Sequence, residues 1–210
     1  MMSGLLNLIA ELKKEMLEND EFEFWRYLEQ SEELIKEIFP QTKGTIEETV
    51  SVKGTLFLGN GSVIKSGTRV EGFVTIGDNC IIGPNAFLRN GTVIESNSHI
   101  GNCEIKNSII LNRANIPHFS YIGDSIIGEN VNFGAGSKVA NLRFDNSNVQ
   151  VTIDGIKKDS GRRKLGTLVN SGTKIGCNAV LNAGIMIGKN CKIYPNTFLN
   201  RNLKSGEAFK

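Results

Sequence analysis

The sequence predicts a mainly β chain wound as a parallel β-helix, and three observations carry that reading. Ten apolar residues stand six apart without a miss: Ile46, Val52, Leu58, Ile64, Val70, Ile76, Ile82, Leu88, Ile94 and Ile100. The residue two before the aliphatic one is mostly small (Ser62, Thr68, Cys80, Ala86, Thr92, Ser98), and the residue after it is often glycine (Gly59, Gly77, Gly83, Gly101). A period of six fits neither a helix nor one flat strand. Each hexad is then a short strand plus a turn, and three hexads close one triangular coil. The aliphatic side chain fills the interior, the small one fits beside the corner, and glycine takes backbone angles that strain other residues.

Beyond Ile100 the period shortens by single residues through Ile105, Ile110, Ile116, Ile122, Ile127, Phe133 and Val139, and those steps still wind. The strict period returns at Val169, Ile175, Leu181, Ile187, Ile193 and Leu199, which gives about seven coils in all. Residues 41–210 form this domain, with one loop projecting at 140–167. There the hexad fails, and the alternation Val149 to Ile153 followed by Asp154-Gly155 reads as a small hairpin. The loop carries Arg143, Lys157, Lys158, Arg162, Arg163 and Lys164, either as a binding element on a rigid scaffold or as a solvated basic surface.

Residues 1–40 form an α-helical segment instead. Leu5, Leu8, Ile9, Leu12 and Met16 make one apolar stripe, and a second helix is expected over Asp20 to Phe39. Phe22, Phe24, Trp25, Tyr27, Leu28, Leu34, Ile35, Ile38 and Phe39 give it more apolar surface than one short helix can hide. The open end of the neighbouring coil is the expected seat; a trimer contact or a partner-binding helix is the alternative. Pro40 ends this segment.

The chain of 210 residues suits one domain with a small appendage. It has neither an apolar run long enough for a bilayer nor the start of a signal peptide, so a cytoplasmic location is expected. Cys80, Cys103, Cys177 and Cys191 lack CxxC spacing and read as buried free thiols. Residues 1–40 carry ten acidic and four basic side chains, a net of −6, which leaves +8 on the remainder to reach the overall +2. A basic body suits anionic small molecules such as sugar phosphates or coenzyme A; no motif supports nucleic acid.

The only histidines are His99 and His118, too few for a three-histidine zinc site, and no metal is predicted. GxSxG, P-loop and GxGxxG patterns are absent. His99 precedes a repeat isoleucine and should face outward. A lone histidine is commonly structural, yet His118 precedes Tyr121 and the Gly134-Ala135-Gly136 bend. A base beside backbone amides is what acyl transfer requires.

At these residues the sequence resembles a known family. HIGNCEIKNS from His99, IPHFSYIGDSIIGENVNFGAG from Ile116 and ANLRFD from Ala140 are similar to the acetyltransferase domain of bifunctional N-acetylglucosamine-1-phosphate uridyltransferases. The resemblance is nearest to the archaeal sugar-1-phosphate nucleotidyltransferase/acetyltransferases, which share a block like SGRRKLG at Ser160. It implies a left-handed β-helix, a homotrimer with active sites between neighbours, and acetyl-CoA as donor to the amine of a hexosamine 1-phosphate in nucleotide-sugar precursor synthesis. It also implies site residues. His118 is the general base, Glu104 its orienting partner, Asn141 the holder of the amine or acetyl group, and the Ala135 amide the oxyanion donor. Arg89 and Lys106 are the sugar-phosphate contacts, Tyr121 and Asn132 bind the sugar, and Cys177 and Tyr194 line the coenzyme site. Read without the resemblance, each is ordinary surface charge, turn polarity or packing.

Two departures stand out. Forty acidic helical residues take the place of a nucleotidyltransferase half, so uridylyl transfer is not expected. In the loop after Asn141, Ser147 and Gln150 stand where the archaeal members carry two lysines, leaving Lys157, Lys158 and the run Arg162 to Lys164 as replacements that sequence does not place. The expected function is an acetyl-CoA-dependent N-acetyltransferase. The rivals are a non-catalytic sugar-nucleotide-binding or regulatory protein serving a separate nucleotidyltransferase, and an acyltransferase for another amino-sugar acceptor.

Overall fold

The computed structural model describes residues 2–210, in which a three-sided parallel β-helix follows two helices. In the first coils each residue pairs with the one 18 positions later, as Ile46 with Ile64 and Leu58 with Ile76. Three hexads therefore close one turn. In the middle coils the offset falls, so that Ile100 pairs with Ile116 and Ile116's neighbour Asn115 pairs with Asn132. The second face stacks Val52, Val70, Leu88, Ile105, Ile122, Val139, Leu181 and Leu199, which is eight rungs. That is one more than the seven expected, and Gln41–Thr42 and Leu203 extend the third face, and Ala208–Phe209 the first, beyond the repeat residues read from the sequence. Inward aliphatics are buried from Leu58 to Leu203, each stabilising the stack by about 1.5–3 kcal/mol.

The glycines after the aliphatic residue serve a purpose other than the predicted one. Only Gly83 of the four has positive φ, 85°, whereas the left-handed corner residue mostly comes three after the aliphatic one, as at Gly61, Asn79, Asn85 and Asn97. Gly101 is required by proximity: a Cβ there would collide with the Pro117 carbonyl of the next coil.

Helix α1 (Met2–Glu18) buries Leu5, Leu8, Ile9, Leu12 and Met16. Helix α2 is shorter than predicted, Trp25–Leu34, and a 3₁₀ turn over Ile35–Glu37 follows it. The pair does not sit on the open end of the solenoid. It lies along the outside of the third face, where Val93, Ile109, Ile126, Leu168 and Met186 point outward into a second apolar core shared with Phe24, Trp25 and Leu28. On the first and second faces the equivalent outward residues are largely polar, as at His99, Asn115, Asn132 and Lys174, or Glu104, Tyr121 and Lys138. Only the third face offers an apolar seat, which is why the helices choose it.

The segment between Val139 and Leu168 leaves the solenoid and carries a hairpin of Gln150–Ile153 and Ile156–Asp159. Val149, Val151, Ile153 and Leu165 join the second core, so the projecting loop also packs beside the helices. The split of charge along the chain closes internally. Lys158 pairs with Glu23 at 3.0 Å, Arg162 with Glu32 and with Glu29 at 3.7 Å, and Lys13 with Glu95 and Glu129 at 2.8 and 2.9 Å.

Candidate functional site

The corner that carries His118 is irregular for a reason written in the spacing. Ile100 to Ile105 spans five residues, while Ile116 to Ile122 directly above it spans six, so the ladder shifts between His118 and Tyr121. The surplus residue is pushed outward. Phe119 takes φ of 52°, a left-handed conformation that costs a non-glycine residue about 1–2 kcal/mol, and its side chain is 67% exposed. His118 is exposed beside it, the two ring centroids 6.5 Å apart. The His118 carbonyl accepts from Gly136 N at 3.0 Å, and the Ala135 carbonyl accepts from Asn178 N at 2.9 Å. One edge of the solenoid therefore lines up His118, Ala135, Cys177 and Tyr194 in successive coils. Cys177 and Tyr194 are exposed, and Lys210 Nζ lies 5.3 Å from the Tyr194 ring centre.

The opposite edge of the second face holds the cationic residues. Lys106 Nζ donates to Asp124 at 2.9 and 3.2 Å. Asn141 Nδ2 donates to Asp124 Oδ2 at 2.6 Å and to the Tyr121 hydroxyl at 3.0 Å. Asn107 Nδ2 bridges Asp124 Oδ1 at 2.9 Å and Glu32 Oε1 of α2 at 2.8 Å. Burial holds the Tyr121 phenol above its ordinary range; the Asn141 hydrogen bond works against this, and the carboxylates of Asp124 and Glu104 add to it. Arg89 Nη1 donates to Glu104 Oε1 at 2.7 Å and stacks on Phe87, its guanidinium 5.6 Å from the ring centre. Glu104 is thus engaged by Arg89, not by His118, within the chain.

Of the residues singled out from sequence, Lys106, Tyr121 and Asn141 come together, and Arg89 and Glu104 form a pair. His118, Ala135, Cys177 and Tyr194 occupy the other edge, and Asn132 lies on the first face. Sequence reasoning missed Asp124, the buried hub of the network, and Asn107 and Glu32 on either side of it. Asp124 stands in the quoted run YIGDS, but its partners Lys106 and Asn141 reach it only through the stacking of the coils on either side. Lys106, Arg162, Arg163 and Lys164 line a cleft of about 470 Å³ that also includes Lys36, Glu32 and Asp124. Lys157 instead borders a larger cleft, about 1100 Å³, beneath the hairpin. Ser147 is bound within the turn formed by Arg143 and Asp145. No group of histidine, cysteine and carboxylate side chains able to hold a metal occurs among the described residues, and no described helix is long and apolar enough to cross a membrane.

Two family patterns match this chain: the GMPPB C-terminal domain over residues 70–156 and the bacterial transferase hexapeptide, six repeats, over residues 166–201. A bifunctional sugar-1-phosphate nucleotidylyltransferase/acetyltransferase of Sulfurisphaera tokodaii is 44% identical over 174 residues, covering 82% of this chain and 43% of that protein. The bifunctional protein GlmU of Methanocaldococcus jannaschii is 39% identical over 188 residues, covering 89% of this chain and 46% of that protein. The chain belongs to the GlmU-like hexapeptide-repeat family. This GlmU-like chain spans less than half the length of the curated relatives it matches. Among solved structures, an Arabidopsis UDP-N-acetylglucosamine acyltransferase overlaps it with a TM-score of 0.34 at 12% identity, covering 80% of this chain and 72% of that one.

Proposed function

We propose that this GlmU-like protein is an acetyl-CoA-dependent N-acetyltransferase acting on a hexosamine 1-phosphate, assembled as a homotrimer. The observation that carries the reading is the division of the second face into two unlike edges. One presents an exposed imidazole, and the other a lysine–aspartate–asparagine–tyrosine network beside a cationic cleft. In a trimer, the imidazole edge of one subunit meets the cationic edge of the next, so neither is complete alone.

Acetyl-CoA supplies an activated thioester. The exposed edge at Cys177 and Tyr194 suits its arm, with Lys210 near enough to meet a phosphate. Lys106, Arg89 and the cleft cations Arg163 and Lys164 hold the sugar phosphate, turning encounter into proximity. His118 accepts the proton that the amine loses as its nitrogen bonds to the acetyl carbon. The Ala135 amide donates to the oxygen that gains charge, and the imidazolium returns the proton to the departing thiolate. Asn141, fixed by Tyr121 and Asp124, orients the amine.

Thiol release in the presence of amino-sugar phosphates tests the reading. His118→Ala should lower kcat by about 100-fold or more, the scale of general-base catalysis, with oligomeric state and melting temperature unchanged. Unaltered turnover rejects the assignment, and absence of release with every acceptor favours a non-catalytic binding protein.

A further inference from the structure

We propose that His99 is a positioning residue that fixes which end of the Asn132 amide faces the ligand, acting through Asn115. This rests on the proposed acetyl transfer and on the expectation, implied by the family resemblance, that Asn132 binds the sugar. His99, Asn115 and Asn132 occupy the same outward position on three successive coils of the first face, paired His99 with Asn115 and Asn115 with Asn132. All three are half-buried. His99 Nδ1 lies 3.2 Å from Asn115 Oδ1, and Asn115 Nδ2 donates to Asn132 Oδ1 at 2.7 Å.

The direction of this ladder is set at its foot. Below His99 the equivalent position is Ile81, which offers no polar side-chain group, so the histidine is the terminal member. With a proton on Nδ1, His99 donates to Asn115 Oδ1. That turns the Asn115 amide nitrogen toward the next coil, where it occupies Asn132 Oδ1. The Asn132 Nδ2 protons are then turned away from Asn115, toward the coil of Lys174, whose ammonium donates to the Asn130 carbonyl and offers them no acceptor. Held this way, Asn132 presents donors to a ligand oxygen, a sugar hydroxyl or an acyl carbonyl.

A positional role and a structural one separate on polarity. His99→Asn keeps a donor at the foot, because stacked asparagines already hydrogen-bond at this spacing. His99→Asp, ionised at neutral pH, can only accept, which turns Asn115 over and points Asn132 Oδ1 outward. The KM for an amino-sugar phosphate should stay within about twofold of wild type in His99→Asn and rise about tenfold in His99→Asp, with the KM for acetyl-CoA unchanged. His99→Leu, which leaves the ladder undirected, gives an intermediate rise and serves if the aspartate variant is unstable. A second readout is independent of turnover. The Asn132 side-chain amide signal in ¹⁵N–¹H spectra, identified by its loss in Asn132→Asp, should exchange rapidly with water in wild type and slowly in His99→Asp. Equal KM changes in the asparagine and aspartate variants, or slow exchange of Asn132 in wild type, overturn the inference. Rapid exchange in a protein that acetylates no amino-sugar phosphate sinks the proposed function and leaves the amide orientation standing.

Discussion

Lys106 reaches both carboxylate oxygens of Asp124, at 2.9 and 3.2 Å, and the Asp124 side chain is only 2% exposed. Three donors from the two flanking coils, Lys106 and Asn107 on one side and Asn141 on the other, converge on that one carboxylate. A buried charge with this many partners is stable only while its partners remain, and removing one member of such a pair leaves the other uncompensated.

Asp124→Asn should therefore destabilise the chain by about 3 kcal/mol, read as a shift in the urea midpoint without change in slope. It should also loosen Asn141, which loses its charged acceptor and is left with the Tyr121 hydroxyl, so that a raised KM for the phosphorylated acceptor accompanies the lost stability. A variant as stable as wild type would mean that Lys106 is held by solvent, not by this carboxylate.

Phe24 connects the helical segment to the solenoid. It is fully buried in the core made by α1, α2 and the outward residues of the third face. Phe24→Ala should cost about 3–5 kcal/mol, the range for an emptied aromatic site. Because Val93, Ile109, Ile126, Leu168 and Met186 lose part of their cover, the variant should also bind a hydrophobic dye and associate on warming. A loss below about 1 kcal/mol would show the helices to be loosely seated.

The β-helix was legible because one residue in six must be aliphatic wherever three strands share an interior. The seat of the helices was legible too, though it was not read. Doublets with both residues apolar run without a break up the third face, Val93-Ile94, Ile109-Ile110, Ile126-Ile127, Leu168-Val169 and Met186-Ile187, whereas on the other two faces apolar doublets such as Ile81-Ile82 and Phe198-Leu199 are interrupted by Glu104-Ile105, Lys138-Val139 and Lys174-Ile175. The edge positions of His118, Cys177 and Tyr194 follow from the same counting. The Asp124 hub did not emerge because its partners are brought together by stacking: Lys106 and Asn141 lie 18 and 17 residues away along the chain, and no local pattern announces that they meet. The link from Glu32 to Asn107 spans 75 residues and depends on how α2 lies on the third face.

Stability should fall on the alkaline side. Burial raises the thiols of Cys80, Cys103 and Cys191 above their ordinary range. Burial likewise raises the phenols of Tyr27 and Tyr121. Each group has its folded pKa above its unfolded one, so the unfolded chain sheds protons first as pH rises. The contribution is intact below the ordinary thiol pKa of about 8.5 and is lost above it, with the phenols adding to the loss above about 10. Urea midpoints under reducing conditions should decline from pH 8 to pH 10, and replacing Cys80 and Cys103 by alanine should flatten the first part of that decline. A midpoint that rises across this interval would contradict the assignment.

Cys177 is the one exposed cysteine of the four, and it stands on the edge shared with His118 and Tyr194. A thiolate reacts and a buried thiol does not, so a chromogenic disulfide reagent should label one thiol per native chain rapidly and the other three only on unfolding. If this edge receives the pantetheine arm, saturating acetyl-CoA should slow that labelling about tenfold or more while inorganic phosphate leaves it unchanged. Protection by phosphate alone would place the anion, not the acyl carrier, beside Cys177. No protection by either would separate this edge from the donor site and move the search for it to the larger cleft beneath the hairpin, where Arg143, Lys157 and Arg201 offer the remaining cations.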